Sequence, residues 1–447
     1  MISRVDSGPD PGPPGIRILV APSGFKECLD AAPAADYIEE GIQRVVPSAA
    51  LTKVPLFDGG EGFAAGIVAA TRGYLKHLYI TGPTGPSCKC ELQACEGLTN
   101  PVAAIIESHY GFLGGSPVKT AVVEIAAAAG LSLVPKECRN PTTTTTFGVG
   151  ELIADALHEG AQKIIIGCGD SGTCDGGAGM CQALGIRFLD GKNDELAPAS
   201  GGKALSRLTR LDLSNLHSRL RHVQIEAVCN WKNVLCGAKG VAQVYGPQKG
   251  ATAEQVIELG AALDIYSSVL SQTLGENISV APGSGASGGL GAGLLLIGAK
   301  LRPRYEAITE YFGIEDCLEN CDLVVTAEGG IDYQTPQGKI PAEIATRAKR
   351  RGIPVVMLAG TVGQGSELSY GSGIDAFTSI LQRPISLEGA MRDVERLLKD
   401  GAESAMRMIM VGSRLSNRFG DGGFEFKKQN MRDEKRGSNG SYEEGSD

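Results

Sequence analysis

Short apolar runs alternate with longer amphipathic stretches at both ends of the chain, and a different rhythm lies between them. Residues 18–21, Ile-Leu-Val-Ala, form a compact apolar run of the kind that builds a buried strand. Asp30 stands before a periodic stretch from Ala31 to about Val46. There an acidic side chain can cap a helix, and Pro33 is tolerated in the first turn. The pattern then predicts a strand over residues 51–56 and a helix ending near Thr71. A β-α-β-α opening is the mark of a parallel sheet.

From Tyr74 to Cys95 short strands alternate with turns at Gly82-Pro83 and Gly85-Pro86. Residues 122–128 are apolar, residues 150–159 read as an amphipathic helix, and residues 163–166 as a buried strand. The βα rhythm resumes with a strand over residues 322–326 and a helix near residues 341–351. Strands follow over residues 354–358 and 376–380. A long final helix runs from a Ser386 cap to about Met410. The ends thus share α/β character around a different middle, which implies a discontinuous domain with a large insertion. Residues 1–15 are rich in Pro, Gly and Asp, and residues 412–447 are polar, charged and glycine-rich; both are expected to be disordered. No internal repeat is visible.

Composition narrows the picture. The length of 447 residues favours two or three domains, and 42% apolar with 21% charged residues is ordinary for a soluble protein. A net charge of -9 argues against a nucleic-acid surface, so an anionic substrate needs local Lys or Arg. The 12 cysteines include one close pair, Cys88-Lys89-Cys90, with no second pair at zinc spacing. No secretory signal and no apolar run of about 18 residues is present, which predicts no membrane span. The expectation is a cytoplasmic protein with mostly reduced cysteines.

Two loops carry candidate chemistry. Gly167-Cys168-Gly169-Asp170-Ser171-Gly172-Thr173-Cys174-Asp175-Gly176-Gly177 lies between the strand-like run 163–166 and a helix-like run 180–184. Asp58-Gly59-Gly60-Glu61-Gly62 follows the strand-like run 51–56. Glycine lets the backbone approach a ligand closely, and N–H groups at a helix start attract anions. Acids inside such loops suit a phosphorylated, metal-bound ligand, although a tight turn explains each loop alone equally well. No P-loop signature occurs. Gly283 to Gly288 and Gly167 to Gly172 both match G-x-G-x-x-G, and the second precedes a strand-like run ending at Asp190. That is the layout of a dinucleotide fingerprint, so a nicotinamide-dependent oxidoreductase is a rival reading. Asp170 and Asp175 would repel a pyrophosphate there.

The ordered set of motifs is more specific than any one of them. Ala21-Pro22-Ser23-Gly24-Phe25-Lys26, the Asp58 loop, Thr144-Thr145-Thr146-Phe147-Gly148 and Asp175-Gly176-Gly177-Ala178-Gly179 come first. Tyr245-Gly246-Pro247-Gln248-Lys249-Gly250, Gly288-Gly289-Leu290-Gly291 and Glu328-Gly329-Gly330-Ile331-Asp332 follow. Over about residues 16–411 this set resembles the glycerate kinase family typified by the bacterial glycerate 2-kinases. The resemblance implies phosphorylation of D-glycerate to 2-phosphoglycerate with ATP and Mg²⁺. It also implies two α/β domains. One is a flavodoxin-like, Rossmann-like parallel sheet from residues 16–72 and 290–411. The other is a mixed α/β domain inserted as residues 73–289.

Phosphoryl transfer is mostly positioning and charge neutralisation. Lys26, in the loop after the first strand, is the first choice for a phosphate or carboxylate clamp, followed by Lys249 and Lys339. Asp58, Asp175, Glu328 and Asp332 are candidate metal ligands or general base, with Asp175 and Glu328 assigned to Mg²⁺. Gly59, Gly60, Glu61, Ser171, Gly176, Gly177, Gly288 and Gly289 are expected to line the substrate or nucleotide, and Thr145 to donate a hydroxyl. The five histidines lie outside the motifs, and Trp231 reads as packing. The chain departs from the family pattern at Ser23-Gly24, Asp170, Cys174, Asn230-Trp231-Lys232-Asn233 and Gly330. A weak or inactive ligand-binding homologue therefore stays open as an alternative.

Overall fold

The computed structural model describes residues 15–25, 28–57, 59–85 and 105–419. The expectations for residues 1–14, Lys26, Asp58 and residues 420–447 lie outside the described residues.

The strands in chain order are β1 (Arg17–Val20), β2 (Ala50–Lys53), β3 (Tyr74–Thr81), β4 (Ile105–Phe112), β5 (Thr120–Glu124), β6 (Lys163–Gly167) and β7 (Arg187–Asp190). They continue as β8 (Leu208–Asp212), β9 (Gln224–Cys229), β10 (Lys300–Pro303), β11 (Leu323–Ile331), β12 (Val355–Val362) and β13 (Ala376–Ser379). The first sheet has the order β13-β12-β11-β1-β2 and is parallel throughout. It draws its strands from both ends of the chain. The second sheet has the order β10-β9-β6-β5-β4-β3. Its β10, β9, β6 and β5 are parallel, and β4 and β3 complete it antiparallel.

Alternating side chains enter different cores because successive residues of a strand point to opposite faces. Ile18 and Val20 join the helices Ala31–Gln43 and Val394–Phe419, whereas Leu19 faces the other way. Ile164 and Ile166 pack against the helix Phe147–His158, whereas Ile165 shares a core with Leu19, Phe63, Ile308 and Ile344. That shared core fills the space between the two sheets. The helices Phe63–Ala70, Arg304–Tyr311, Ile314–Glu319 and Ile340–Arg350 are its middle layer. Both sheets are therefore covered on both faces, which is why their central strands read as continuous apolar runs.

The structure corrects several expectations. The run ending at Asp190 is β7, which pairs with β8 in a separate two-stranded antiparallel sheet. A dinucleotide fingerprint needs its next strand in the same parallel sheet, so the oxidoreductase layout is lost. β10 pairs with β9, so residues 300–303 belong to the second sheet and the boundary expected at 290 moves beyond Pro303. Asp30 occupies a helix N-cap position but makes no capping hydrogen bond. Ser386 does cap, accepting from the Gly389 N–H at 3.2 Å. The final helix is interrupted at Asp393 and its second part, Val394–Phe419, continues well past residue 412. Trp231 is 41% exposed rather than packed.

Residues 420–447 contain few apolar side chains. Truncation after Phe419 is expected to leave the melting temperature and activity unchanged. A thermal melt lowered by several degrees would show that the tail docks on the body.

Candidate active site

In open α/β sheets, ligands bind outside the carboxyl ends of the parallel strands. Here those ends belong to two sheets whose loops touch. Ser23, after β1, bridges Leu56 and donates its N–H and hydroxyl to the Ala327 carbonyl at 2.8 and 3.1 Å. Ser23 thus stands between Leu56, on the β2 side, and Ala327 of β11. The Glu61 N–H donates to Asp170 Oδ2 at 3.2 Å, joining the loops after β2 and β6. A Cβ built on Gly169 would lie 2.5 Å from the Gly60 Cα. The two glycine loops approach so closely that no side chain fits between them, which is a physical reason for glycine at that position.

The rest of the Gly167–Gly177 segment is organised from within. Asp175 is 1% exposed. Its carboxylate accepts from the Thr146 N–H and hydroxyl at 2.8 and 2.9 Å, and from the Gly177 and Gly179 N–H groups at 3.1 Å each. Burial pushes its acidity toward weaker acid, opposed by these hydrogen bonds. Both oxygens are engaged, so the geometry corrects the expectation that Asp175 holds Mg²⁺ or acts on substrate: it ties the loop to the start of the helix Phe147–His158. Thr145 is 1% exposed, and its hydroxyl accepts from the Phe147 N–H at 3.2 Å, an internal role rather than a ligand contact.

Lys249 is corrected in the same way. It is 3% exposed and donates to Ser171 Oγ and the Thr173 carbonyl, both at 2.8 Å. Burial lowers its pKa from the usual lysine range, against the pull of Cys174 and Asp175. Lys249 and Ser171 thus brace the loop from behind. On the far side, the Gly176 N–H donates to the Gly288 carbonyl at 3.1 Å, and a Cβ on Gly289 would lie 2.8 Å from the Gly176 Cα. Gly288 and Gly289 both adopt left-handed backbone, at φ 73° and 88°, which only glycine takes without strain.

A third cluster lies on β11. Lys339 Nζ sits 3.5 Å from Glu328 Oε2 and 3.6 Å from Asp332 Oδ1, and donates to the Gly330 carbonyl at 3.4 Å. These side chains are partly open to solvent, at 24%, 21% and 34%. Tyr305, on the helix Arg304–Tyr311 that follows β10, covers Gly338 next to Lys339. Gly330 lies opposite Thr361 on β12. Among the described residues, no group of three or more His, Cys, Asp or Glu is arranged to hold a metal ion. Mg²⁺ in phosphoryl-transfer sites is commonly held by one or two carboxylates plus substrate phosphates. Glu328 and Asp332 fit that pattern, and Asp175 does not.

The departures from the family pattern divide by position. Cys174 is fully buried. Asn230 accepts from the Lys232 N–H at 3.1 Å, a local turn. The cysteines at 28, 168, 174, 181, 229, 236, 317 and 321 are free thiols, whereas Cys138 is disulfide-bonded. Sequence reasoning passed over Glu124, the last residue of β5. It is 2% exposed and accepts from the Gly62 and Ala64 N–H groups at 3.1 and 2.9 Å. The available signal was an acid closing an apolar strand at its carboxyl end.

The sequence profile of the glycerate kinase family matches residues 18–410. A glycerate kinase of Halalkalibacterium halodurans is 42% identical over 388 residues, covering 87% of this chain and 96% of the relative. A glycerate 2-kinase of Escherichia coli is 37% identical over 400 residues, covering 89% and 99%. A crystal structure from Salmonella typhimurium, provisionally named glycerate kinase 2, superposes with a TM-score of 0.74 at 37% identity. It covers 90% of this chain and 100% of its own.

Proposed function

This chain belongs to the glycerate kinase family, and from that premise we propose that it transfers the γ-phosphoryl group of ATP to the 2-hydroxyl of D-glycerate, giving 2-phosphoglycerate. The observation that carries the reading is the meeting of two acidic glycine loops, one after β2 of the first sheet and one after β6 of the second, together with Lys339 and its two carboxylates at the end of β11 in the first sheet. Backbone N–H groups in such loops suit phosphate oxygens. Lys339 and Lys26 supply the positive charge that an acidic protein must concentrate locally. Asp58 is assigned to accept the hydroxyl proton, and Glu61 and the glycines around it to position the substrate. Bound Mg²⁺, held by Glu328 and Asp332, would neutralise charge on the transferring phosphoryl group. Asp175, Thr145, Ser171 and Lys249 support the loop without touching the ligands. The reading places the reaction in the cytoplasm, where ATP is available, and among the described residues no helix is long and apolar enough to cross a membrane.

The test is ADP release by the purified chain with ATP and D-glycerate, set against reduction of NAD with small hydroxy acids. Glycerate-dependent ADP formation supports the proposal; nicotinamide reduction without ADP overturns it. Lys26→Ala is expected to lower kcat/KM roughly 10- to 150-fold, the effect of losing one charge-assisted contact. An unchanged kcat/KM would make Lys26 a surface charge.

A further inference from the structure

The loop that begins at Asp58 leads into the helix Phe63–Ala70, and that helix starts without a cap of its own. Its N-cap residue is Gly62, in left-handed backbone at φ 85°, with no side chain to accept from the first N–H groups. Unsatisfied N–H groups at a buried helix start need acceptors from elsewhere. Glu124 supplies them from the second sheet, one oxygen to Gly62 and the other to Ala64. Within the second sheet Glu124 stands level with Gly167, where the other glycine loop begins. Asp170, from that loop, takes the Glu61 N–H. Two carboxylates, one at the end of β5 and one in the loop after β6, thus hold three N–H groups, of Glu61 and Gly62 in the loop after β2 and of Ala64 in the first turn of the helix.

We propose that Glu124 is a positioning residue, latching the loop segment 59–62 and the start of the helix Phe63–Ala70 to the second sheet so that the loop is presented to substrate. The latch does not depend on the kinase reading; its effect on turnover does.

The latch is linked to protons. Glu61 and Asp170 are the charged neighbours acting on Glu124, one from each loop, and both are acidic. Burial first, then those like charges, raise its pKa to about 7 against the pull of the two N–H donors. An ionised carboxylate accepts at both oxygens; a protonated one turns one oxygen into a donor and loosens its grip on an N–H. The grip therefore strengthens as pH rises through about 7. The effect on global stability runs the other way. A carboxyl whose folded pKa is raised favours the folded state most below its ordinary value of 4.5, and that advantage is lost as pH rises through about 7. A loop that becomes more ordered while the whole protein becomes no more stable is a signature that general acid unfolding does not give.

The experiment is amide hydrogen exchange on the full chain without ligand, corrected for intrinsic exchange, at several pH values on either side of neutrality. It is repeated on Glu124→Gln and Glu124→Asp. In the wild type, protection of the segment 59–66 should rise through neutral pH while the helix Phe147–His158 stays constant. Glu124→Gln should lose the protection and its pH dependence, and Glu124→Asp should retain part of both. With D-glycerate and ATP, Glu124→Gln should show kcat lowered about ten-fold or more. Its acid limb near neutrality should be gone. Wild-type protection that is flat with pH, or a Glu124→Gln segment protected like the wild type, overturns the latch. If no glycerate-dependent ADP appears, the kinase reading fails while the exchange result still decides the latch. Should Glu124→Gln not fold, the wild-type titration and Glu124→Asp decide it.

Discussion

Asp175→Asn is expected to destabilise the protein by about 2–4 kcal/mol and to lower turnover with it. The carboxylate accepts four hydrogen bonds in a site with almost no solvent contact. Asparagine offers one acceptor oxygen, and its amide would point N–H toward N–H. At least one buried donor is then left unsatisfied, at about 1–3 kcal/mol, and the facing amide adds to that. Removing a charge that burial disfavours offsets part of the loss. Cys174→Ser, next to it and fully buried, exchanges a thiol for a hydroxyl and should cost less. Thermal melts of both variants check the order. A larger loss for the cysteine variant would mean that the loop is not held through Asp175.

Glu328→Gln and Lys339→Met are expected to do the opposite. Each should lower kcat/KM roughly 10- to 150-fold with the melting temperature nearly unchanged. The ion pairs at 3.5 and 3.6 Å are long and partly solvated, so they add little to stability. On the proposed reading they hold charge where phosphate oxygens and Mg²⁺ would sit. Steady-state kinetics beside a thermal melt separates the two roles. A melt several degrees lower with unchanged kcat/KM would make the cluster a structural pair.

The α/β architecture was legible because the strands that carry it are covered on both faces. Ile18 to Val20 and Ile164 to Ile166 are apolar at every position, and their alternation between two cores needs no polar residue. The β7–β8 pair was not legible as such, since Arg187-Phe188-Leu189-Asp190, polar at both ends and apolar between, fits either kind of sheet. The glycine loops were found by composition, but composition does not say which polar side chain turns inward. Asp175 and Lys249 stand in motifs that look like ligand contacts, yet each is buried and its hydrogen bonds are internal. Glu124 shows the converse: one acid at the end of an apolar strand gives no periodic signal, and its partners lie 60 and 62 residues away in the chain. The helix past residue 412 was missed because its outer turns are polar, although extending an anchored helix costs little once it is nucleated.

The product of the reaction tests the central claim most directly. The purified chain, supplied with D-glycerate and MgATP, should form a product that enolase converts at once to phosphoenolpyruvate without a mutase, in step with ADP release. ADP release whose product enolase accepts only after a phosphoglycerate mutase is added would place the phosphate on the 3-hydroxyl and contradict the account. So would the absence of glycerate-dependent ADP.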